Sequence, residues 1–224
     1  MSSSLFSPLS SDAPGAAGAS ARVRGLYAVT PDEPDTALLT AKVERCIRGG
    51  VRLVQYRNKT AIAALRRRQI VSLLALCRRT RVPLIVNDDL GLAIELDADG
   101  VHLGRDDAEL VEARRRLAPG KLLGASCYDS LELARSAVAA GSDYVAFGAA
   151  FPTALKPAAP RASLGLYAQA KAALRVPIVA IGGITPVNAA SLREAGADAV
   201  AVISSLFGAA DIEARAREFC AIVT

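Results

Sequence analysis

Three features predict that this sequence folds as an α/β protein with a single closed (β/α)8 barrel. Short apolar runs alternate with longer helical stretches about eight times along one continuous chain. The runs are β-branched and mostly uninterrupted by polar residues, as strands covered on both faces by helices must be. The 224 residues, 52% of them hydrophobic, form one domain's worth of chain. A barrel of this kind commonly needs about 200 residues or more.

In order, the predicted strands are Gly25–Val29, Arg52–Gln55, Leu84–Val86, Gly100–Val101, Leu122–Ala125, Tyr144–Ala146, Ile178–Ile181 and Ala199–Val202. Between them, stretches such as Ala61–Arg79, Ala108–Leu117 and Ser130–Ala140 carry helical spacing. Gly49–Gly50, Val82–Pro83, Ala140–Gly141 and Gly196–Ala197 mark turns into strands, and glycine is the expected residue just past a helix end. There is no Trp and aromatics make up 4%, so the core must rest on Val, Ile, Leu and Ala. Those residues fill the interior of a TIM barrel. A doubly wound open sheet would usually carry a Gly-rich turn after its first strand, where this chain has Thr30–Pro31–Asp32. Residues 1–21, rich in Ser, Ala, Gly and Pro, read as a disordered tail, and residues 22–224 as the barrel.

Composition narrows the function. The net charge is +5, but arginines cluster in helical stretches such as Arg66–Arg67–Arg68 and Arg114–Arg115–Arg116. These read as solvated helix faces, with no basic stripe interleaved with aromatics for nucleic acid. A mild positive balance suits anionic small molecules. Cys46, Cys77, Cys127 and Cys220 are scattered without metal-ligand spacing, as for reduced thiols in a cytoplasmic protein. No segment is apolar over the roughly 18 residues of a membrane span, and the N-terminus lacks the pattern of a signal peptide.

In such a barrel the active site forms at the C-terminal ends of the strands. Almost every predicted strand delivers a polar residue or glycine there. Gln55, Arg57 and Lys59 alternate along one short extended stretch and so point to one side, and a guanidinium beside an ammonium suits a polyphosphate. Asn87 and Asp88 end the third strand, and Asp107 follows the fourth. Two carboxylates facing one mouth need a cation between them, and Mg2+ is suited to carboxylates plus phosphate oxygens. Asp89 and Asp106 are expected to cap helices instead. Ser126 follows strand five, and Thr153 and Lys156 follow strand six. Gly182–Gly183 and Ser204–Ser205 follow strands seven and eight, where many barrels bind a phosphate. His102, the single histidine, is expected to be hydrogen-bonded and structural rather than an acid or base.

Taken together these segments resemble the thiamine phosphate synthase family. Gln55–Tyr56–Arg57–Asn58–Lys59 is similar to its Q-x-R-x-K motif, and Val86–Asn87–Asp88 to its strand-three segment. Ala98 to Gly104 followed by Asp107, Gly124–Ala125–Ser126, Pro152–Thr153 to Lys156, Ala180 to Ile184 and Val202–Ile203–Ser204 follow in the family's order. The resemblance runs from about Gly25 to the C-terminus. It implies that Gln55, Tyr56, Arg57, Asn58, Lys59, Asn87, Ser126 and Lys156 bind an aminopyrimidine diphosphate. It implies that Asp88 and Asp107 hold Mg2+, and that Thr153, Leu155, Gly183, Ile203 and Ser204 bind a thiazole phosphate. Arg57, Lys59, Lys156 and Ser126 would carry catalysis as pyrophosphate leaves and the thiazole nitrogen attacks. Two positions depart from the family pattern. Leu155 replaces a threonine, a loss of about 1 kcal/mol of net hydrogen bonding, and Arg105 replaces a glutamine. The rivals are a thiazole tautomerase-like isomerase, a sugar-phosphate epimerase or isomerase, and a non-catalytic barrel binding a phosphorylated metabolite. A homo-oligomer is left open.

Overall fold

The computed structural model describes Gly18 and residues 21–104, 110–152 and 161–223. The strands are β1 (Gly25–Val29), β2 (Leu53–Tyr56), β3 (Leu84–Asn87), β4 (Gly100–Leu103), β5 (Leu122–Tyr128), β6 (Tyr144–Phe147), β7 (Ile178–Ile181) and β8 (Ala199–Val202). Each pairs in parallel with the next and β8 returns to β1, so the sheet closes into a barrel. Among the described residues the helices are α1 (Thr36–Arg48), α2 (Ala63–Thr80), α3 (Leu90–Glu95), α4 (Leu110–Arg116), α5 (Leu131–Ala139), α6 (Leu164–Ala173), α7 (Pro186–Glu194), α8 (Ser204–Phe207) and α9 (Ile212–Val223). No described helix is long and apolar enough to cross a membrane. Of the tail expected over residues 1–21, all but Gly18 and Ala21 lie outside the described residues, and those two have helical backbone. Val23 is fully buried in the barrel interior.

Five strands, β2 to β6, run further toward their C-terminal ends than their apolar runs suggested. Asn87 pairs with His102, Leu103 with Ala125, Ser126 with Ala146 and Tyr128 with Phe147. The added residues include the polar Asn87, His102 and Ser126, and the ladder takes their backbones regardless of side chain. This matters for function, because those polar side chains are thereby fixed on rigid strands rather than on loops.

Alternation along each strand divides the sheet into two faces. Tyr27, Leu53, Ile85, Leu122, Tyr144, Val179 and Ala199 face inward and fill the barrel. Leu26, Val54, Tyr56, Leu84, Val86, Leu123 and Val145 face outward and pack under the helices. Tyr27 and Tyr144 depart from the aliphatic interior the composition predicted. Both are fully buried, and their hydroxyls meet at 3.0 Å.

The helix ends explain the turn signals. Past α1, α5 and α7 the glycines Gly50, Gly141 and Gly196 have φ of 103, 95 and 104°. In each case the next residue's N–H reaches back to the helix, as from Val51 to Cys46, Ser142 to Ala137 and Ala197 to Leu192. Glycine is favoured here because a Cβ resists the left-handed region. The arginine runs spend their charge locally, with Arg67 on Glu95, Arg66 on Asp89, Arg114 on Asp143 and Arg115 on Glu112.

At the opposite end of the barrel from the candidate rim, Asp99, Asp143 and Asp198 stand just before β4, β6 and β8. Their carboxylates accept the backbone N–H groups of Leu84, Leu123 and Ile178 at 2.9, 2.7 and 2.9 Å, near the starts of the preceding strands. Removing one orphans a partly buried donor. Asp198→Ala is expected to lower unfolding free energy by about 1–3 kcal/mol, and urea unfolding checks this.

Candidate active site

The rim begins with a clamp between β1 and β2. Thr30 is fully buried, and its Oγ1 both donates to the Arg57 carbonyl and accepts from the Arg57 N–H, each at 2.8 Å. Asp32 extends the clamp, accepting from the Lys59 N–H at 2.7 Å and from the Arg57 guanidinium at 3.3 Å. The backbone that carries Arg57 and Lys59 is therefore set by Thr30 and Asp32, leaving both cationic side chains at the mouth. Their chain neighbours turn the other way. Tyr56 lies in the outer core and donates to Gln69 Oε1 at 2.9 Å. Asn58 is buried and donates to the Glu33 carbonyl and Gln69, while its Oδ1 accepts from Thr60 and Ala61. The side chains of Tyr56 and Asn58, two residues expected to bind the pyrimidine diphosphate, are thus assigned by the strand's alternation to the loop's own support.

Asn87 and Asp88 follow at the end of β3. Asp88 has φ of 61°, a left-handed conformation that aspartate tolerates better than most residues, and its N–H donates to the His102 carbonyl at 2.9 Å. Its carboxylate meets Lys59 Nζ in an ion pair that joins the ends of β2 and β3. Asp89 instead accepts from the Leu92 N–H at 2.9 Å and caps α3. Neighbouring aspartates thus divide between mouth and helix cap. Arg105, Asp106 and Asp107 lie outside the described residues. No group of three His, Cys, Asp or Glu suited to a metal occurs among the described residues. The donor set at Asp88 still fits Mg2+, which commonly takes one or two carboxylates together with substrate phosphate oxygens and water.

Below the cations one continuous line of hydrogen bonds crosses the largely aliphatic barrel interior. Gln55 Nε2 donates to Tyr27 Oη at 2.7 Å, Tyr27 meets Tyr144 at 3.0 Å, Tyr144 meets His102 Nδ1 at 3.1 Å, and His102 Nε2 meets Ser126 Oγ at 2.9 Å. Gln55 is thus held deeper than Arg57 and Lys59, on a tyrosine rather than open at the rim. Burial lowers the His102 pKa to about 4, with Asp88 pulling it only partly back. The ring is neutral near pH 7, bonded through both nitrogens, and unsuited to acid–base work there.

A pH dependence of stability follows. The unfolded imidazole takes a proton near pH 6.5, whereas the folded one refuses it until about pH 4. Stability is full above pH 6.5 and falls as pH drops toward 4, by on the order of 3 kcal/mol. Urea midpoints at neutral and acid pH check this, and His102→Gln should remove that part of the slope.

The far side of the mouth is backbone. Gly182 and Gly183 follow β7 with φ of 98 and 67°. A Cβ on Gly183 would sit 2.5 Å from the Pro152 carbonyl oxygen and 2.6 Å from that of Phe151. The chain leaving β6 therefore crosses directly over the glycines, and Asn188 steadies them by donating to the Gly183 carbonyl at 3.1 Å. Ile203 packs against the interior cluster, and Ser204 opens α8 at the rim. Thr153, Leu155 and Lys156 lie outside the described residues.

Among the described residues the structure thus brings Gln55, Arg57, Lys59, Asn87, Asp88, Ser126, Gly183, Ile203 and Ser204 to the same end of one barrel. Thr30, Asp32, Tyr27, Tyr144 and Asn188 support them, and of these only Thr30 was expected at the rim, as the residue that follows the first strand. Only the polar Asp32 and Thr30 immediately after the first strand gave any signal.

Residues 26–206 match the family model described as thiamine monophosphate synthase. The chain is 57% identical over 197 residues to the thiamine-phosphate synthase of Methylobacillus flagellatus, covering 88% of this chain and 94% of the relative. It is 57% identical over 194 residues to that of Thiobacillus denitrificans, covering 87% and 92%. Among solved structures, thiamine phosphate pyrophosphorylase from Pyrococcus furiosus superposes with a TM-score of 0.80 at 32% identity, covering 92% of this chain and 96% of that one.

Proposed function

The chain belongs to the thiamine monophosphate synthase family, and from that premise we propose how its rim conducts the family's reaction. The activity is a transferase reaction. An aminopyrimidine carrying a methylene diphosphate is joined to a thiazole phosphate, giving thiamine monophosphate and pyrophosphate. The observation that carries the site reading is the placement of Arg57, Lys59 and Asp88 on the ends of β2 and β3, directly above a neutral hydrogen-bonded interior.

The chemistry needs charge absorption more than proton transfer. As the methylene–oxygen bond breaks, its electron pair leaves with the diphosphate, which gains one negative charge, and the aminopyrimidine stabilises the carbocation left behind. Arg57 offers a planar fork of donors and Lys59 a mobile ammonium, and both are already oriented by the Thr30 and Asp32 clamp. Lys156 is proposed as a third cation. Asp88, with Asp107, would hold Mg2+, which when bound adds a divalent charge beside the leaving oxygens. Gln55, Asn87 and Ser126 would orient the aminopyrimidine. Thr153, Gly183, Ile203 and Ser204 would hold the thiazole phosphate, partly through backbone N–H groups, with Leu155 lining that side. The thiazole nitrogen attacks with its own lone pair, so no residue need take a proton from it.

Both isomerase rivals require an acid–base pair, and the one histidine is neutral with both nitrogens engaged. The four free thiols suit a reducing cytoplasm. Pyrophosphate release distinguishes the readings. Release only with both substrates and Mg2+ supports this one, and tight binding of either substrate without turnover contradicts it.

A further inference from the structure

We infer that the buried chain from Gln55 through Tyr27 and Tyr144 holds His102 as the tautomer protonated at Nε2, and so commits the Ser126 hydroxyl to donate its own proton into the mouth. Tyr27 and Tyr144 become positioning residues for recognition of a hydrogen-bond acceptor on the aminopyrimidine. That last step rests on the pyrimidine role proposed above for Ser126.

The direction follows from counting protons. An amide NH2 only donates, so Tyr27 Oη accepts from Gln55 Nε2 at 2.7 Å. The Tyr27 proton then goes to Tyr144 Oη, its other neighbour at 3.0 Å. Tyr144 in turn donates to His102 Nδ1 at 3.1 Å. A neutral imidazole that accepts at Nδ1 carries its proton at Nε2, and gives it to Ser126 Oγ at 2.9 Å. Ser126 has one proton of its own left, and it sits at the open end of the chain on β5, partly exposed.

A second observation shows that the strand makes room for this chain. Gly124 lies two residues before Ser126 on β5, and a Cβ there would stand 2.4 Å from Tyr144 Oη and 2.6 Å from His102 Nδ1. No side chain other than hydrogen fits beside that hydrogen bond. The tyrosines and the histidine also pack as rings, with centroids 6.3 Å apart for Tyr27–Tyr144 and 5.5 Å for His102–Tyr144. An interior otherwise built of aliphatic side chains therefore gives two large aromatic positions and a glycine to one polar line that ends at the mouth.

The single histidine makes the test direct, because imidazole nitrogen signals in uniformly nitrogen-15-labelled, untagged protein belong to His102 alone. At neutral pH, long-range proton–nitrogen spectra should show a protonated Nε2 and an accepting Nδ1. A proton on Nδ1, or on both nitrogens, overturns the proposal without any variant. Tyr144→Phe should then shift the Nδ1 signal toward a nitrogen without a donor. It should raise KM for the pyrimidine diphosphate about tenfold and leave KM for the thiazole phosphate unchanged. In a Ser126→Ala background the same substitution should add almost nothing, since Tyr144 acts through Ser126. Full additivity overturns the proposal even if the tautomer is correct. An Nε2 proton combined with a KM change confined to the thiazole phosphate upholds the chain and overturns the substrate assigned to Ser126.

Discussion

Asp88→Ala is expected to remain folded while losing about a hundredfold to a thousandfold in kcat/KM, because it removes the rim carboxylate proposed to hold the divalent ion. Its side chain is partly exposed at the mouth. Alanine tolerates the 61° φ less well than aspartate, which should cost about 1 kcal/mol of stability. Asp88→Asn isolates the charge, since asparagine accepts that backbone conformation and keeps the side-chain volume. The asparagine variant should therefore match the wild-type thermal midpoint and still show the kinetic loss, with a raised Mg2+ requirement. Near-normal turnover by Asp88→Asn would remove Asp88 from the reaction.

Arg57→Ala should lose a similar factor in kcat/KM, with most of the loss in kcat if the guanidinium acts on charge that grows as the diphosphate departs. The backbone around Arg57 does not depend on its side chain, because Thr30 holds both the N–H and the carbonyl. The thermal midpoint should therefore be almost unchanged. Arg57→Lys should recover only part of the activity, since an ammonium does not reproduce the planar two-point contact. Steady-state pyrophosphate release at varied pyrimidine diphosphate separates kcat from KM. Loss in KM alone would mean that Arg57 binds ground state and transition state equally.

Much of the barrel could be read from the chain because burial on both faces leaves a strong mark, an unbroken β-branched run bounded by Gly or Pro. The runs at Gly25–Val29, Ile178–Ile181 and Ala199–Val202 coincide with strands residue for residue. The others stopped short wherever the rim begins, since a polar side chain such as Asn87 or Ser126 ends an apolar run without ending a ladder. The same alternation that placed Arg57 and Lys59 on the mouth placed Tyr56 and Asn58 away from it, which a motif read as a block conceals. Thr30 and the Tyr27–Tyr144–His102 line could not be found by spacing, because their partners lie 27 to 117 residues away and meet only when the barrel closes.

We propose that charge on departing diphosphate is absorbed at the ends of β2 and β3. A crystal structure of the protein with thiamine monophosphate, pyrophosphate and Mg2+ tests it most directly. Pyrophosphate should contact Arg57 and Lys59, with the ion bridging it to Asp88. Pyrophosphate seated instead over Gly183 and Ser204, or an ion that does not touch Asp88, would contradict the account.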